Sequence, residues 1–285
     1  VEKIKLEDFE FGEDFRKPED IAHEARIADG HRNVPPNPAI VMGWYTKRGT
    51  SYPIPWGSYG DMSLIVGPSK SMKSRLKTAL VAAYSREKPI ENFPNMRGVK
   101  SHGKFIVDID TEQNEFHVAE MRRDQLELAA HKTNGHLLTF RLRKYDPAER
   151  RAFLKWVCFE SEWAGKIGLV CVDGAADLIE DTNDLVQSSQ LAGLFMRITD
   201  ETNAHLITIL HRTKQSAKPT GHIGSALLKK AETVVFVEKD ENDVVHVKPE
   251  YCRNRPFKRF SFRLDPVTLL PVHEEAFDDI FSEPQ

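Results

Sequence analysis

Five short apolar runs separated by stretches of helical periodicity constrain the fold of this chain more than any other feature. The runs are MSLIV (62–66), KFIVDI (104–109), LLTFRL (137–142), GLVCVD (168–173) and HLITIL (205–210). Helical patterns lie between them at about 73–85, 115–130, 147–163 and 185–202. Runs that are apolar on both faces suit strands covered from both sides, and strands alternating with helices imply a parallel sheet with helices on each face. The third helix carries its own start signal in DPAE. Asp146 stands at the N-cap, Pro147 in the first turn and Glu149 as capping-box partner. Three further strand candidates follow one another with short gaps: TVVFVE (233–238), DVVHVK (243–248) and FKRFSFRL (257–264). They predict an antiparallel extension at one edge of the sheet. No internal repeat is visible. The expectation is an α/β fold, a mainly parallel sheet flanked by helices with an antiparallel C-terminal edge.

The first 60 residues read as an extension. KPEDIAHEARIADG (17–30) fits one short helix, with Pro18 near its start and Gly30 at its stop, and HRNVPPNPAI (31–40) is too proline-rich for a helix interior. We expect an N-terminal extension over 1–42, a core over 43–270 and an acidic tail over 271–285.

With 285 residues, 40% of them hydrophobic, the chain can bury a large core. The net charge of −3 excludes nothing, but its distribution is uneven. Residues 1–20 carry eight acids against four bases, and 274–285 carry five acids and no base. Residues 211–231 and 251–263 each carry five Lys/Arg and no acid, so a polyanion can be bound locally. Three cysteines (Cys158, Cys171, Cys252) stand far apart without a C-x-x-C pair, as expected of a reduced, cytoplasmic protein. No run approaches the roughly 18–20 apolar residues needed to cross a bilayer, so no membrane partner is expected.

The segment SLIVGPSKSMKSRLKTALVA (63–82) passes from a strand through a tight loop into a helix. Its loop nearly spells the phosphate-binding pattern G-x-x-x-x-G-K-[S/T], with Met72 in place of the second glycine. In such a loop backbone N–H groups surround phosphates, the Lys reaches the outer phosphates and the Ser/Thr binds Mg²⁺. Gly67, Pro68, Ser69, Lys70, Ser71, Met72, Lys73, Ser74 and Arg75 are the candidate nucleotide-binding residues, with Lys70 adding a second positive charge. A side chain at position 72 costs little if the local φ is negative and roughly 1–2 kcal/mol if it is positive. Three more strand ends supply polar groups where ligands of open parallel sheets bind. Asp173 ends GLVCVD and can support a metal with Ser74. Glu112, just beyond KFIVDIDT, can activate a water, and His211 ends the fifth strand.

Together, GPSKSMKS, VDIDTEQ, LVCVDGAADL, LITILHRTK, GHIGSALLKKAETVVFV and CRNRPFKRFSF resemble, in that order, the RecA-like P-loop ATPases. The nearest resemblance is to the RepA/DnaB-type hexameric helicase branch and its single-domain relatives in plasmids and mobile elements. The resemblance spans about 43–270. It implies ATP and Mg²⁺ as ligands, Lys73 and Ser74 on phosphate and metal, Asp173 on the metal, Glu112 as the base and His211 as a sensor of hydrolysis. It also implies a ring, hexameric in that branch, in which Arg253 or Arg255 reaches a neighbouring subunit's γ-phosphate. The loop HRTKQSAKPTGH (211–222) would touch single-stranded DNA through Arg212, Lys214 and Lys218. It holds no aromatic residue, so that contact would be electrostatic. Two functions stay open: a single-stranded-DNA-dependent ATPase or helicase serving replication or transfer of a mobile element, and an ATP-controlled assembly switch without motor activity.

Overall fold

The computed structural model describes residues 37–212, 219 and 221–274, together with 21, 22 and 25. Ile21, Ala22 and Ala25 are helical, within the expected helix. The rest of that helix, the acidic tail from residue 275, and Lys214 and Lys218 lie outside the described residues. By its internal contacts the chain divides at residue 35, and all that follows concerns the unit 36–285.

Six parallel strands form the centre: β3 (Met62–Gly67), β5 (Phe105–Asp110), β6 (Leu137–Arg141), β7 (Ile167–Asp173), β8 (His205–His211) and β9 (Thr233–Lys239). Three antiparallel strands extend one edge: β10 (Val245–Cys252), β11 (Phe260–Leu264) and β12 (Pro271–His273). The order across the sheet is β12-β11-β10-β9-β3-β8-β7-β5-β6. The five apolar runs are the strands expected of them, and the three late strands form the expected antiparallel edge.

Helices α1 (Lys73–Tyr84), α2 (Glu115–Leu128), α3 (Pro147–Phe159), α4 (Leu185–Thr202) and α5 (Gly221–Leu228) cover the sheet. Strand alternation divides the core in two. Ile65, Ile106, Cys171, Ile207 and Val235 meet Leu76, Leu80 and Ala83 of α1 on one face. Leu64, Val66, Val107, Val170, Val172 and Leu206 meet Leu154 and Val157 of α3 and Phe195 and Ile198 of α4 on the other. The capping box at Asp146 and Glu149 forms as expected.

The stretch before residue 60 departs from expectation. Residues 38–58 are not an extension but a hairpin, β1 (Pro38–Lys47) and β2 (Thr50–Ser58), that joins β4 (Arg97–Gly98) in a second, three-stranded sheet. Pro53 and Pro55 sit on β2, an edge strand, where a missing N–H costs no ladder bond. Arg48 and Gly49, both at positive φ, make the tight turn. Ala39, Ile40 and Trp56 are wholly buried, and the Trp56 ring stacks on Phe257 at 5.3 Å. The helix α5 is a further departure, because its residues fall in a basic stretch that reads as loop.

A buried polar chain fastens the hairpin to the strand starts. Trp56 Nε1–H donates to Ser63 Oγ (3.0 Å), Ser63 Oγ–H to His205 Nε2 (2.9 Å), and His205 Nδ1–H to the Ser58 carbonyl (2.9 Å). These partners fix the neutral Nδ1–H tautomer. Burial lowers the pKa of His205 from the ordinary 6.5 to about 4. Between those values the unfolded chain binds the proton and the folded one does not. The stability contributed by neutral His205 is therefore full above about pH 6.5 and is lost as pH falls toward 4. Comparing urea unfolding at pH 7 and pH 5, the parent should lose about 2 kcal/mol more than His205→Gln. An identical loss in both proteins would assign the acid sensitivity to another group.

Candidate functional site

The loop 68–72 carries the chain from the end of β3 over the sheet edge into α1, and two of its residues, Lys70 and Met72, adopt positive φ (63° and 66°). Met72 is the N-cap of α1 and makes no side-chain capping bond, and the first turn holds no acid. In contrast Asn114, Asp146 and Asp184 cap α2, α3 and α4 through their side chains. The first-turn N–H groups of α1, which have no partner within a helix, are therefore not taken by a side-chain cap and face the cleft. Met72 lies in the left-handed region, so the roughly 1–2 kcal/mol penalty applies. Its side chain packs partly buried against the core beside α1. At Gly67 the backbone passes so close to β9 that an added Cβ would lie 2.3 Å from the Val237 carbonyl oxygen, so glycine is required there.

A cleft of about 260 Å³ opens above this loop. Lys70 to Arg75, Glu112, Gln113, His117, Glu120, Met121, Asp173 and His211 line it. The structure thus gathers Lys73, Ser74, Glu112, Asp173 and His211 at the carboxyl ends of β3, β5, β7 and β8, as expected. Lys73 Nζ has all three of its protons engaged, by the carbonyls of Gly67 (3.0 Å) and Pro68 (2.6 Å) and by His211 Nδ1 (3.2 Å). Since His211 Nδ1 accepts from an ammonium, its other nitrogen carries the proton and donates to Glu112 Oε1 (3.3 Å). Burial lowers the Lys73 pKa to about 8 against the opposing pull of Asp173 and Glu112. The hydrogen bond from His211, working against burial, holds the Glu112 carboxyl below the usual carboxylate range. Ser74 Oγ–H donates to Asp173 Oδ2 (2.7 Å).

Beneath the cleft lies a charged cluster that sequence reasoning missed. Lys77, one turn beyond Lys73 on the same face of α1, is completely buried, with Nζ 2.9 Å from Asp108 Oδ1 and 3.4 Å from Asp173 Oδ2. Burial alone would lower its pKa, but Asp108, Asp173 and Asp110 outweigh it and hold the ammonium above the ordinary lysine value. Gln125 of α2 donates to the other oxygen of Asp108 (2.6 Å). Asp110 accepts from the N–H groups of Glu112 (3.0 Å) and Gln113 (2.7 Å), which sets the turn that aims Glu112 at the cleft. Burial raises the pKa of Asp110 to about 6, partly offset by Lys77. Thr111 Oγ1 donates at the Asp173 carbonyl (2.9 Å) and accepts from Gly174 N–H (2.8 Å), locking the ends of β5 and β7 together across the cis Asp173–Gly174 peptide bond. The signal was available. Asp108 alternates with apolar residues in FIVDID, and Lys77 lies four residues after Lys73 on an otherwise apolar helix face.

Other expected residues lie elsewhere. Arg75 pairs with Asp124 of α2 at the rim of the cleft. Arg212 is a correction. Its side chain is buried, paired with Glu238 and stacked over Phe236 at 5.4 Å, so its charge is spent inside the chain rather than offered to a strand. Arg253 and Arg255 follow β10, which ends beside the start of β9, at the opposite end of the sheet from the cleft. Arg253 is paired with Asp61 Oδ2 (3.1 Å) and donates to the Lys230 carbonyl (2.7 Å). Arg255 lies 4.5 Å over the Tyr45 ring. Neither reaches its own chain's cleft.

The residues present fit a magnesium nucleotide. Ser74 and Asp173 offer a hydroxyl and a carboxylate in contact, and the cleft meets an uncapped helix start. Among the described residues no cluster of three His, Cys, Asp or Glu could hold a metal ion alone, which suits a metal that arrives with phosphates. No protein-family model matches this chain, and no curated protein does. Among solved structures it is similar to the ATPase domain of a DnaB-like helicase, with TM-score 0.55 and 14% identity, over 76% of this chain and 86% of that one. That likeness, with the parallel sheet, covering helices and antiparallel edge, gives the chain the RecA-like α/β fold.

Replacing Lys77 by Ala should cost about 3–5 kcal/mol in urea unfolding, because it leaves Asp108 and Asp173 without their buried counter-charge. Adding Asp108→Leu to Lys77→Met should recover most of the loss. A cost below about 1 kcal/mol for Lys77→Ala would mean that the cluster contributes little to stability.

Proposed function

We propose that this chain binds and hydrolyses ATP as a RecA-like ATPase. It works in a ring of identical subunits, a hexamer by resemblance, and acts on single-stranded DNA in replication or transfer of a mobile element. The observation that carries the ATPase reading is the convergence of Lys73, Ser74, Asp173, Glu112 and His211 in one cleft at the start of an uncapped helix.

In this reading the loop N–H groups and Lys73 hold the β- and γ-phosphates. Ser74 and Asp173 would hold Mg²⁺, which neutralises charge on the phosphate oxygens when bound. Glu112, ionised at neutral pH, takes a proton from the attacking water as its oxygen bonds the γ-phosphorus and the bond to the β-phosphate oxygen breaks. Lys73 must leave the Gly67 and Pro68 carbonyls and His211 to reach a phosphate, so binding frees His211 Nδ1. His211 bridges Lys73 and Glu112 and ends β8, and nucleotide state would pass through it to the segment that follows. An arginine from a neighbouring subunit, Arg253 or Arg255, completes the site. Such a residue can be worth about 10³–10⁵ in rate, so the isolated subunit turns over slowly. The same relay would serve an assembly switch without motor activity. Turnover stimulated by single-stranded DNA favours the motor, and ATP-dependent partner capture without stimulation favours the switch.

Lys73→Ala should abolish ATP binding in a fluorescence titration, and unchanged affinity would remove the nucleotide site. Glu112→Gln should bind ATP as the parent does and lose about 10²–10⁴ in turnover. Parent-like turnover in that variant would place the base elsewhere.

A further inference from the structure

Two acid-free stretches of the sequence meet on one surface. Residues 37–60 contain no Asp or Glu, five aromatic residues, and Lys47 and Arg48 at the hairpin turn. Residues 251–263 are also acid-free and hold five Lys/Arg. Tyr45 and Tyr52 are cross-strand partners on β1 and β2, with stacked rings 5.4 Å apart at 25°. The Arg255 guanidinium lies 4.5 Å from the Tyr45 ring centroid, so the two stretches join at this contact. Tyr52 is 40% exposed and Tyr251 58%, and Lys47, Arg48, Arg255 and Lys258 are exposed.

We propose that this hairpin face, Tyr45–Tyr52 with Arg255, Lys47 and Arg48, is a binding platform for single-stranded nucleic acid. Stacked tyrosines and a planar guanidinium form a column that an unpaired base extends, and the flanking cations take the adjacent phosphates. Charge selects this occupant over a second copy of the chain, since the cores of protein interfaces are depleted in charged residues. The segment after β8, expected to hold the strand, has no aromatic residue, and Arg212 is buried against Glu238. The platform deepens the nucleic-acid part of the proposed function and rests on it, but not on ATP hydrolysis.

The test titrates the full chain, without ATP, against a labelled mixed-sequence single strand of about 16 nucleotides at low and moderate salt. The parent should bind in a salt-sensitive way. Tyr45→Ala with Tyr52→Ala should weaken binding about tenfold or more, and the paired Phe substitutions should retain it. Lys47→Ala with Arg48→Ala should reduce the slope of log affinity against log salt by about 1.4. Titration with a fluorescent ATP analogue should give parent affinity in each variant, which reports an intact fold. Parent-like strand binding by the alanine pair overturns the platform and leaves the proposed function standing. A parent that binds no strand overturns the platform and the nucleic-acid partner together, while the ATP titration still reports on the nucleotide site. Lost self-association in the alanine pair with strand binding intact gives the face to a second copy and also overturns it.

Discussion

The buried ammonium of Lys77 is the interaction on which the site depends. It stands between Asp108 of β5 and Asp173 of β7, beneath the loop that α1 follows. A lone charge at that depth would be neutralised or expelled, and a lone carboxylate would be protonated. Together they hold α1 at a fixed height over two strand ends, and Gln125 draws α2 into the same cluster. Lys73 and Ser74 at the head of α1 and Asp173 at the end of β7 are thereby set against each other before any ligand arrives. Asp173 is divided between Lys77 below and Ser74 above, so one carboxylate joins the structural cluster to the cleft.

The other end of the sheet is held by a different kind of polar network. Glu232 is buried and accepts from Ser58 N–H and Ser58 Oγ–H (both 2.7 Å) and from the Asn254 amide. Burial raises its pKa, and those donors with the nearby Arg253 pull the other way. With the Trp56–Ser63–His205–Ser58 chain this network joins the hairpin, the strand starts and the CRNR segment into one block. The consequence is a molecule with two chemical ends. Acids and Lys73 surround the cleft at the carboxyl ends, and Arg253 and Arg255 stand at the amino ends with the aromatic hairpin. Residues that serve a neighbouring copy must lie away from their own chain's cleft, and these do.

Much of this was legible in the sequence because the central strands are buried on both faces and the helices carry start signals. Apolar runs and DPAE located the parallel core to within a few residues, and the strand-end residues Glu112, Asp173 and His211 meet in the cleft. What escaped notice did so for identifiable reasons. Pro53 and Pro55 disguised an edge strand, whose neighbours and not its own composition make it a strand. Asp108 and Lys77 looked like ordinary charges, since only the packing of α1 on β5 and β7 reveals that they are buried together. Arg212 reads as a free base because Glu238, its partner, lies 26 residues further along the sequence.

Met72 then takes on a meaning that the damaged motif did not suggest. A helix entering a core normally gains about 1 kcal/mol from a Ser, Thr, Asp or Asn at its N-cap, as α2, α3 and α4 do. Such a side chain at the head of α1 would accept the N–H groups that a phosphate needs, and its oxygen would compete with the anion. Methionine offers no such acceptor there. It incurs the left-handed backbone penalty, returns part of it by packing against the core, and leaves the first-turn donors facing the cleft. Glycine would meet the same requirement with less strain and no packing. The requirement at position 72 is therefore the lack of a capping oxygen together with tolerance of positive φ, and Met72 satisfies the first fully and the second at a modest cost.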